Sequence, residues 1–319
     1  MSPPTLDDIR AATTPVYAVL APSPLLEHPL LAEAVGADVS VKHENHNPTG
    51  AFKVRGGVNL IARLSDVDRA RGVISATTGN HGQSIAFAAA RAGAPCTLVV
   101  PRGNNAGKNA LMRAWGATLI EHGKDFDEAR ELVERLCEER GMRYVHSANE
   151  PDLISGVGTY ALEVFGALAD IDVVFVPVGG GSGACGLITV RDGLGLKTRI
   201  IGVGAERASA VAQSWRTGTR IVATSADTFA EGLATRVTFD LTFGILQRGL
   251  DDFVSLSEEE LADGVRLALR LTHNLAEGAG GAAIAAAMKC RGQIAGQRVV
   301  CVMSGGNLDP ARLRTILAT

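Results

Sequence analysis

Short runs rich in Val, Ile and Leu alternate along the chain with longer Ala- and Leu-rich runs whose apolar positions recur every three or four residues. The first kind reads as buried strands and the second as amphipathic helices. Strands are expected at Val39–His43, Gly72–Ala76, Cys96–Val100, Ala117–Glu121, Arg143–His146, Asp172–Val178, Ile200–Ala205 and Gln297–Met303. Helices are expected at Ala51–Ala62, His81–Ala92, Ala106–Trp115, Asp125–Arg140, Ser155–Leu168, Ala184–Asp192, Ser257–Asn274 and Gly281–Lys289. Ser257 and Glu260 have the spacing of a capping box. Such alternation specifies an α/β protein with parallel sheets. The strands are too many for one comfortable sheet, so two sheets are expected.

Composition narrows the class. The chain has 319 residues, 46% of them apolar, enough for a large core and a prior of about two domains. The formal net charge is −3 and aromatics are 4%, which argues against nucleic-acid binding. Five cysteines, none at CxxC spacing, suit a reduced, cytoplasmic setting with Cys as apolar filler. The N-terminal MSPPTLDDIR has no basic stretch followed by an apolar core, so no signal peptide is expected. Val173–Val190 is uncharged but carries Pro177 and five glycines, and reads as strand, loop and helix start rather than a membrane span.

Candidate chemistry lies in four segments, each expected just after a strand, where ligands sit in open α/β sheets. In Asn47-Pro48-Thr49-Gly50-Ala51-Phe52-Lys53, a lysine falls in the first turn of a helix, a position whose field lowers an amine's pKa and suits a Schiff-base or nucleophilic lysine. The neighbouring His43-Glu44-Asn45-His46-Asn47 lacks the second histidine of HExxH, which excludes a zinc protease. Thr77-Thr78-Gly79-Asn80-His81 opens a helix with hydroxyls and free N–H groups, suited to a carboxylate. Gly179-Gly180-Gly181-Ser182-Gly183 runs from strand to helix, as a phosphate cradle does. Ser304-Gly305-Gly306-Asn307 follows the last strand. Gly181, Gly183 and Gly186 also match G-x-G-x-x-G, with Glu206 where a ribose-binding acid belongs, so a nicotinamide-dependent dehydrogenase is a competing reading.

Taken together, NPTGAFKVRGG (47–57), TTGNHGQS (77–84), PVGGGSGACG (177–186), AEGLA (230–234) and MSGGNLDP (303–310) resemble the fold-type-II pyridoxal-phosphate enzymes of the serine/threonine dehydratase and serine racemase group. The resemblance implies two open parallel-sheet α/β domains of the tryptophan-synthase-β type with the cofactor in the cleft. It implies a large domain of residues 1–70 plus 148–319 and a small domain of residues 71–147. It further implies that Lys53 carries pyridoxal 5'-phosphate as a Schiff base and removes the substrate's Cα proton. Phe52 would lie beside the pyridine ring, Asn80 at the 3-oxygen, Gly179–Gly183 (with Ser182) on the phosphate, and Ser304 at the pyridine nitrogen. Thr77, Thr78, Gly79 and His81 would hold the substrate carboxylate, with Thr78 also a catalytic candidate.

The activity implied is β-elimination from a β-hydroxy amino acid such as L-threonine or L-serine, giving a 2-oxo acid and ammonia. Serine racemisation and dehydration of hydroxyaspartate or phenylserine are the alternatives within the family. Position 51 is Ala where many relatives have Ser, and position 78 is Thr where the racemases use Ser, which keeps the hydroxyl and adds a methyl. Glu206 matches one acid of the family's cation site but the second position is Ala212, so no tight metal is expected. Twelve residues follow Asn307, so a regulatory domain is not expected. Glu231, Glu277 and Arg236 either line the pocket or are ordinary surface charges. A homodimer or other homo-oligomer is expected, without membrane or nucleic-acid partners.

Overall fold

The computed structural model describes residues 2–318. The chain opens with helix α1 (Leu6–Tyr17), strand β1 (Leu25–Glu27), α2 (Pro29–Val35), β2 (Asp38–His43), α3 (Lys53–Ala62) and α4 (Asp66–Arg71). There follow β3 (Val73–Ala76), α5 (Asn80–Ala92), β4 (Cys96–Val100), α6 (Ala106–Ala114), β5 (Thr118–Glu121), α7 (Phe126–Arg140) and β6 (Arg143–Tyr144). Then come α8 (Pro151–Ala167), β7 (Val173–Pro177), α9 (Ser182–Gly193), β8 (Arg199–Ala205), α10 (Ala210–Thr217), α11 (Asp240–Gly249) and β9 (Asp252–Leu256). The chain closes with α12 (Glu258–Thr272), α13 (Gly278–Lys289), β10 (Arg298–Met303) and α14 (Pro310–Leu317).

Two sheets form, as the alternation implies. One has six strands in the order β1-β2-β10-β7-β8-β9, parallel except for β1, which runs antiparallel to β2. The other has four parallel strands in the order β5-β4-β3-β6. Alternate residues of the large sheet enter different cores. Val174 and Val176 of β7 join a cluster with Val54, Ile85, Leu153 and Val157, whereas Val173 and Phe175 join one with Leu31, Leu261, Ile284 and Met303. Both faces are therefore covered by helices, as parallel sheets require.

Strand order positions the site. β10, the last strand, inserts between β2 and β7. The segments after β2, β7 and β10 are far apart in sequence yet leave the sheet side by side. Chain direction diverges from this point, the place where open α/β sheets take ligands. The fourth segment, after β3, is brought in by close packing of α3 on α5. A Cβ at Gly57 would lie 2.3 Å from Ser84 Oγ, so glycine is what lets the helices approach. Ser84 Oγ then donates to the Lys53 carbonyl at 2.6 Å, tying the two helices at the site.

Boundaries moved where capping chemistry decided them. α8 starts at Pro151, which a helix accepts in its first turn, not at Ser155. β6 stops at Tyr144 because His146 Nδ1 accepts the N–H groups of Ala148 and Asn149, at 3.0 Å each, and turns the chain. The capping box of Ser257 and Glu260 is present on α12. α13 begins at Gly278, three residues before the expected start. Among the described residues no helix is long and apolar enough to cross a membrane. All five cysteines are free, four of them buried.

Candidate active site

A cavity of about 700 Å³ opens where the four segments meet, lined by Phe52, Lys53, the 77–81 loop, the 179–183 loop and Ser304. Every residue given a cofactor or substrate role in the sequence lines it, as do Glu231, Glu277 and Arg236; Glu206 does not. The first and fourth segments are stapled together: Phe52 N–H donates to the Ser304 carbonyl at 3.0 Å and Gly306 N–H to the Gly50 carbonyl at 2.9 Å. Gly50 has φ +67°, and a Cβ there would strike Asn307 Oδ1 at 2.5 Å, so only glycine serves.

Lys53 is the first residue of α3. Its amine donates to Ser182 Oγ at 3.0 Å and more weakly to the Ser147 carbonyl at 3.4 Å. Burial lowers its pKa from the usual lysine range to about 8. Burial, rather than the field of the helix N-terminus expected from the sequence, is the larger cause.

The loop after β7 has the shape of an anion cradle. Gly181 has φ +94° and hands the chain into α9. A Cβ at Gly179 would lie 2.0 Å from the Gly232 carbonyl oxygen, so the loop packs directly on the 3₁₀ turn Glu231–Leu233. The N–H groups at the start of α9 have no helical acceptor and face the cavity end of the helix. Gly186, the third glycine of the apparent dinucleotide motif, serves packing instead: its Cβ would meet Gly158 Cα at 2.7 Å.

The loop after β3 divides its labour. Thr77 Oγ1 accepts the N–H groups of Gly79 and Gly82 at 3.0 and 2.9 Å, so this hydroxyl shapes the turn into α5. Thr78 lines the cavity. His81 Nε2 meets Ser75 Oγ at 2.9 Å, and burial, aided by nearby Lys53, holds the ring neutral with a pKa of about 3. Asn80 is fixed at both ends: its Nδ2 donates to Glu277 Oε1 at 2.5 Å and its Oδ1 accepts from Asn307 Nδ2 at 2.8 Å.

Glu277 and Glu231 belong to the cavity, and Glu206 does not. Glu277 is 5% exposed, and burial raises its pKa against the pull of Lys108 and Asn80. Gly305 leaves room for it, since a Cβ there would lie 2.5 Å from Glu277 Oε1. Lys108, from α6, was not singled out in the sequence. It is 6% exposed, with Nζ 2.5 Å from Glu231 Oε2 and 3.7 Å from Glu277 Oε2. Arg236 also lines the cavity and lies 3.7 Å from Asp125. Glu206 is exposed and 4.0 Å from Lys289. Among the described residues no group of three or more His, Cys, Asp or Glu is placed to hold a metal ion.

Behind Lys53 lies a second feature the sequence reading missed. Arg55, fully buried, donates Nε and Nη2 to both Glu44 oxygens at 2.8 and 2.9 Å and Nη1 to Glu163 Oε1 at 2.6 Å. Lys42 also pairs with Glu163. Two cations and two carboxylates thus lock α3 to the end of β2 and to α8. The signal was a charged residue flanked by Val54 and Val58 on an otherwise apolar helix face.

A sequence model of the family described as "Pyridoxal-phosphate dependent enzyme" matches residues 16–305. This chain belongs to that family. It is similar to the L-threonine ammonia-lyase of Thermotoga maritima, 38% identical over 96% of this chain and 76% of that one. It is also similar to the L-threo-3-hydroxyaspartate ammonia-lyase of Saccharomyces cerevisiae, 30% identical over 99% and 97% of the two chains. Among solved structures, maize serine racemase superposes with a TM-score of 0.93 at 26% identity, covering 99% of this chain and 98% of the other. Family membership sets aside the dehydrogenase reading of Gly181–Gly186. The residues on hand fit the cofactor: a half-buried amine with a depressed pKa faces a glycine cradle in which a Cβ at position 179 would strike backbone.

Proposed function

We propose that this pyridoxal-phosphate enzyme is an ammonia-lyase that eliminates water from a β-hydroxy amino acid, with L-threonine or L-serine as substrate, and yields a 2-oxo acid and ammonia. The observation that carries the reading is the Lys53 amine, held against the glycine loop by Ser182 in a cavity large enough for cofactor and amino acid. When bound, pyridoxal phosphate supplies an electron sink for charge left at Cα. Lys53 Nζ would hold the cofactor, and its amine is placed to take the Cα proton of a bound amino acid. Its pKa of about 8 leaves roughly a tenth of it neutral at pH 7, in the range a positioned base needs. The N–H groups of 179–183 would hold the cofactor phosphate, Ser304 would serve the pyridine nitrogen, and Asn80, oriented by Glu277 and Asn307, would serve the 3-oxygen. Phe52 would bound the ring, and Thr78, Gly79 and His81 would receive the substrate carboxylate at the start of α5, with Thr77 holding their loop.

The cavity lining favours a neutral substrate side chain over a second carboxylate. Apart from Lys53 it carries four cations (Arg102, Lys108, Lys124, Arg236) and four carboxylates (Asp125, Asp227, Glu231, Glu277). Serine racemisation is the second reading, favoured by the likeness to maize serine racemase, with Thr78 supplying the hydroxyl. The small sheet, residues 71–147, acts as a smaller domain whose closure on the remainder excludes water. The free, mostly buried cysteines suit a cytoplasmic enzyme, and exposed Leu26 and Leu30 beside edge strand β1 suit a homo-oligomer. The test is release of 2-oxo acid from L-threonine, L-serine, 3-hydroxyaspartate and phenylserine by wild type and Lys53→Ala. Release from threonine or serine that disappears with Lys53 supports the assignment; racemisation without 2-oxo acid, or turnover of hydroxyaspartate alone, overturns it.

A further inference from the structure

Within the run Gly179–Gly183, position 182 alone carries a side chain. Ser182 is 1% exposed, stands first in α9, and is turned inward by the left-handed backbone of Gly181. Its hydroxyl is the nearest partner of the Lys53 amine, at 3.0 Å, ahead of the Ser147 carbonyl at 3.4 Å. Of the titratable groups around the amine, Cys185 is the one that acts to raise its pKa. Cys185, on the first turn of α9, is kept protonated by burial. His81 on α5 and His146 after β6 are kept neutral by burial, with pKa values of about 3 and 4. The face of Phe52 lies 5.2 Å away.

We infer that Ser182 is a positioning residue for Lys53: it receives the amine whenever the amine is not bonded to cofactor, keeps Nζ on the cradle side of the cavity, and raises its proton affinity. The inference rests on the pyridoxal-phosphate reading for its purpose, but its physical content belongs to the chain alone. Ser182 Oγ accepts from Nζ, and an acceptor stabilises the charged amine more than the neutral one. Removing it leaves a half-buried ammonium with one weak partner, so the amine loses its proton at lower pH. A hydroxyl whose sole task was to bind phosphate would leave that pH unchanged.

The test uses full-length cofactor-free protein, with acetylation of Lys53 by acetic anhydride followed against pH by peptide mass spectrometry. In wild type the reactive fraction rises with a midpoint near 8. In Ser182→Ala and Ser182→Gly, both smaller than serine at a position flanked by glycines, the midpoint falls by about one pH unit, the size of one charge-assisted hydrogen bond. A midpoint unmoved in both variants, each with wild-type circular dichroism, overturns the inference. Because the titration needs no cofactor, it separates two failures. A shifted midpoint in a protein that never binds pyridoxal phosphate sinks the proposed function and leaves the Lys53–Ser182 coupling. Normal cofactor capture with an unmoved midpoint sinks the coupling alone.

Discussion

Replacing two glycines of the same loop by alanine gives opposite outcomes. At Gly179 the new Cβ falls 2.0 Å from the Gly232 carbonyl oxygen, backbone against backbone, with no flexible side chain to yield. Restoring ordinary contact moves one of the two segments by about 1 Å or more, and overpacking of this kind costs about 1–3 kcal/mol. Either movement damages the site, because residues 179–183 form the cradle and Gly232 follows Glu231, the partner of Lys108. A displacement of about 1 Å at a reacting centre costs on the order of a hundred-fold in rate. At Gly183 the new Cβ meets the Phe52 ring at 3.5 Å, an ordinary contact. Gly183→Ala therefore stays within about 0.5 kcal/mol of wild type and retains activity within a few-fold. The assay is calorimetric Tm, cofactor titration by visible absorption, and kcat/KM for 2-oxo acid release. Equal losses in the two variants would refute the packing argument, as would normal cofactor affinity in Gly179→Ala.

Three further outcomes follow from the electrostatics. The depressed Lys53 pKa means the folded apoprotein binds fewer protons than the unfolded chain between about pH 8 and the usual lysine value, so apoprotein stability rises with pH across that window. Lys53→Met removes a penalty of about 2 kcal/mol at pH 7, discounted for water in the cavity, so its Tm advantage is largest below pH 8 and fades above pH 10; a pH-independent difference would contradict this. Arg55→Met leaves Glu44 without its cation and Glu163 with Lys42 alone, and costs about 3–5 kcal/mol in urea unfolding; a loss below 1 kcal/mol would mean the cluster is not coupled to folding. Glu206→Gln, at an exposed position outside the cavity, leaves Tm and kcat/KM unchanged; a large loss of activity would revive a ligand role for that carboxylate.

The architecture was legible because parallel sheets write themselves as separate apolar runs, and most strands fall within a residue or two of their expected bounds. Elements that lack this signature were not found. α1 carries Pro15 inside the helix and β1 has three residues. α13 was expected from Gly281, and its opening, with Gly278, Gly280 and Gly281, was read as a turn up to that residue. They are helical because packing overrides propensity: a Cβ at Gly281 would lie 2.6 Å from the Gly264 carbonyl carbon, and one at Gly280 would lie 2.0 Å from the Gly305 oxygen. The site was legible to the extent that each part is a contiguous segment. Lys53, Asn80, the glycine loop and Ser304 announce themselves by residue type at a strand end. Lys108 does not, because its partners Glu231 and Glu277 are over a hundred residues away and only the fold pairs them. Glu44 drew notice for a metal motif it does not complete, whereas its structural task is to hold Arg55.

The Lys53 amine is the group expected to capture pyridoxal phosphate. The direct measurement is borohydride reduction of the protein with pyridoxal phosphate, followed by peptide mass mapping. The cofactor's mass is expected on the peptide containing Lys53, with no stable adduct or visible band in Lys53→Ala. Label on another lysine, or none on Lys53 at saturating cofactor, would contradict it.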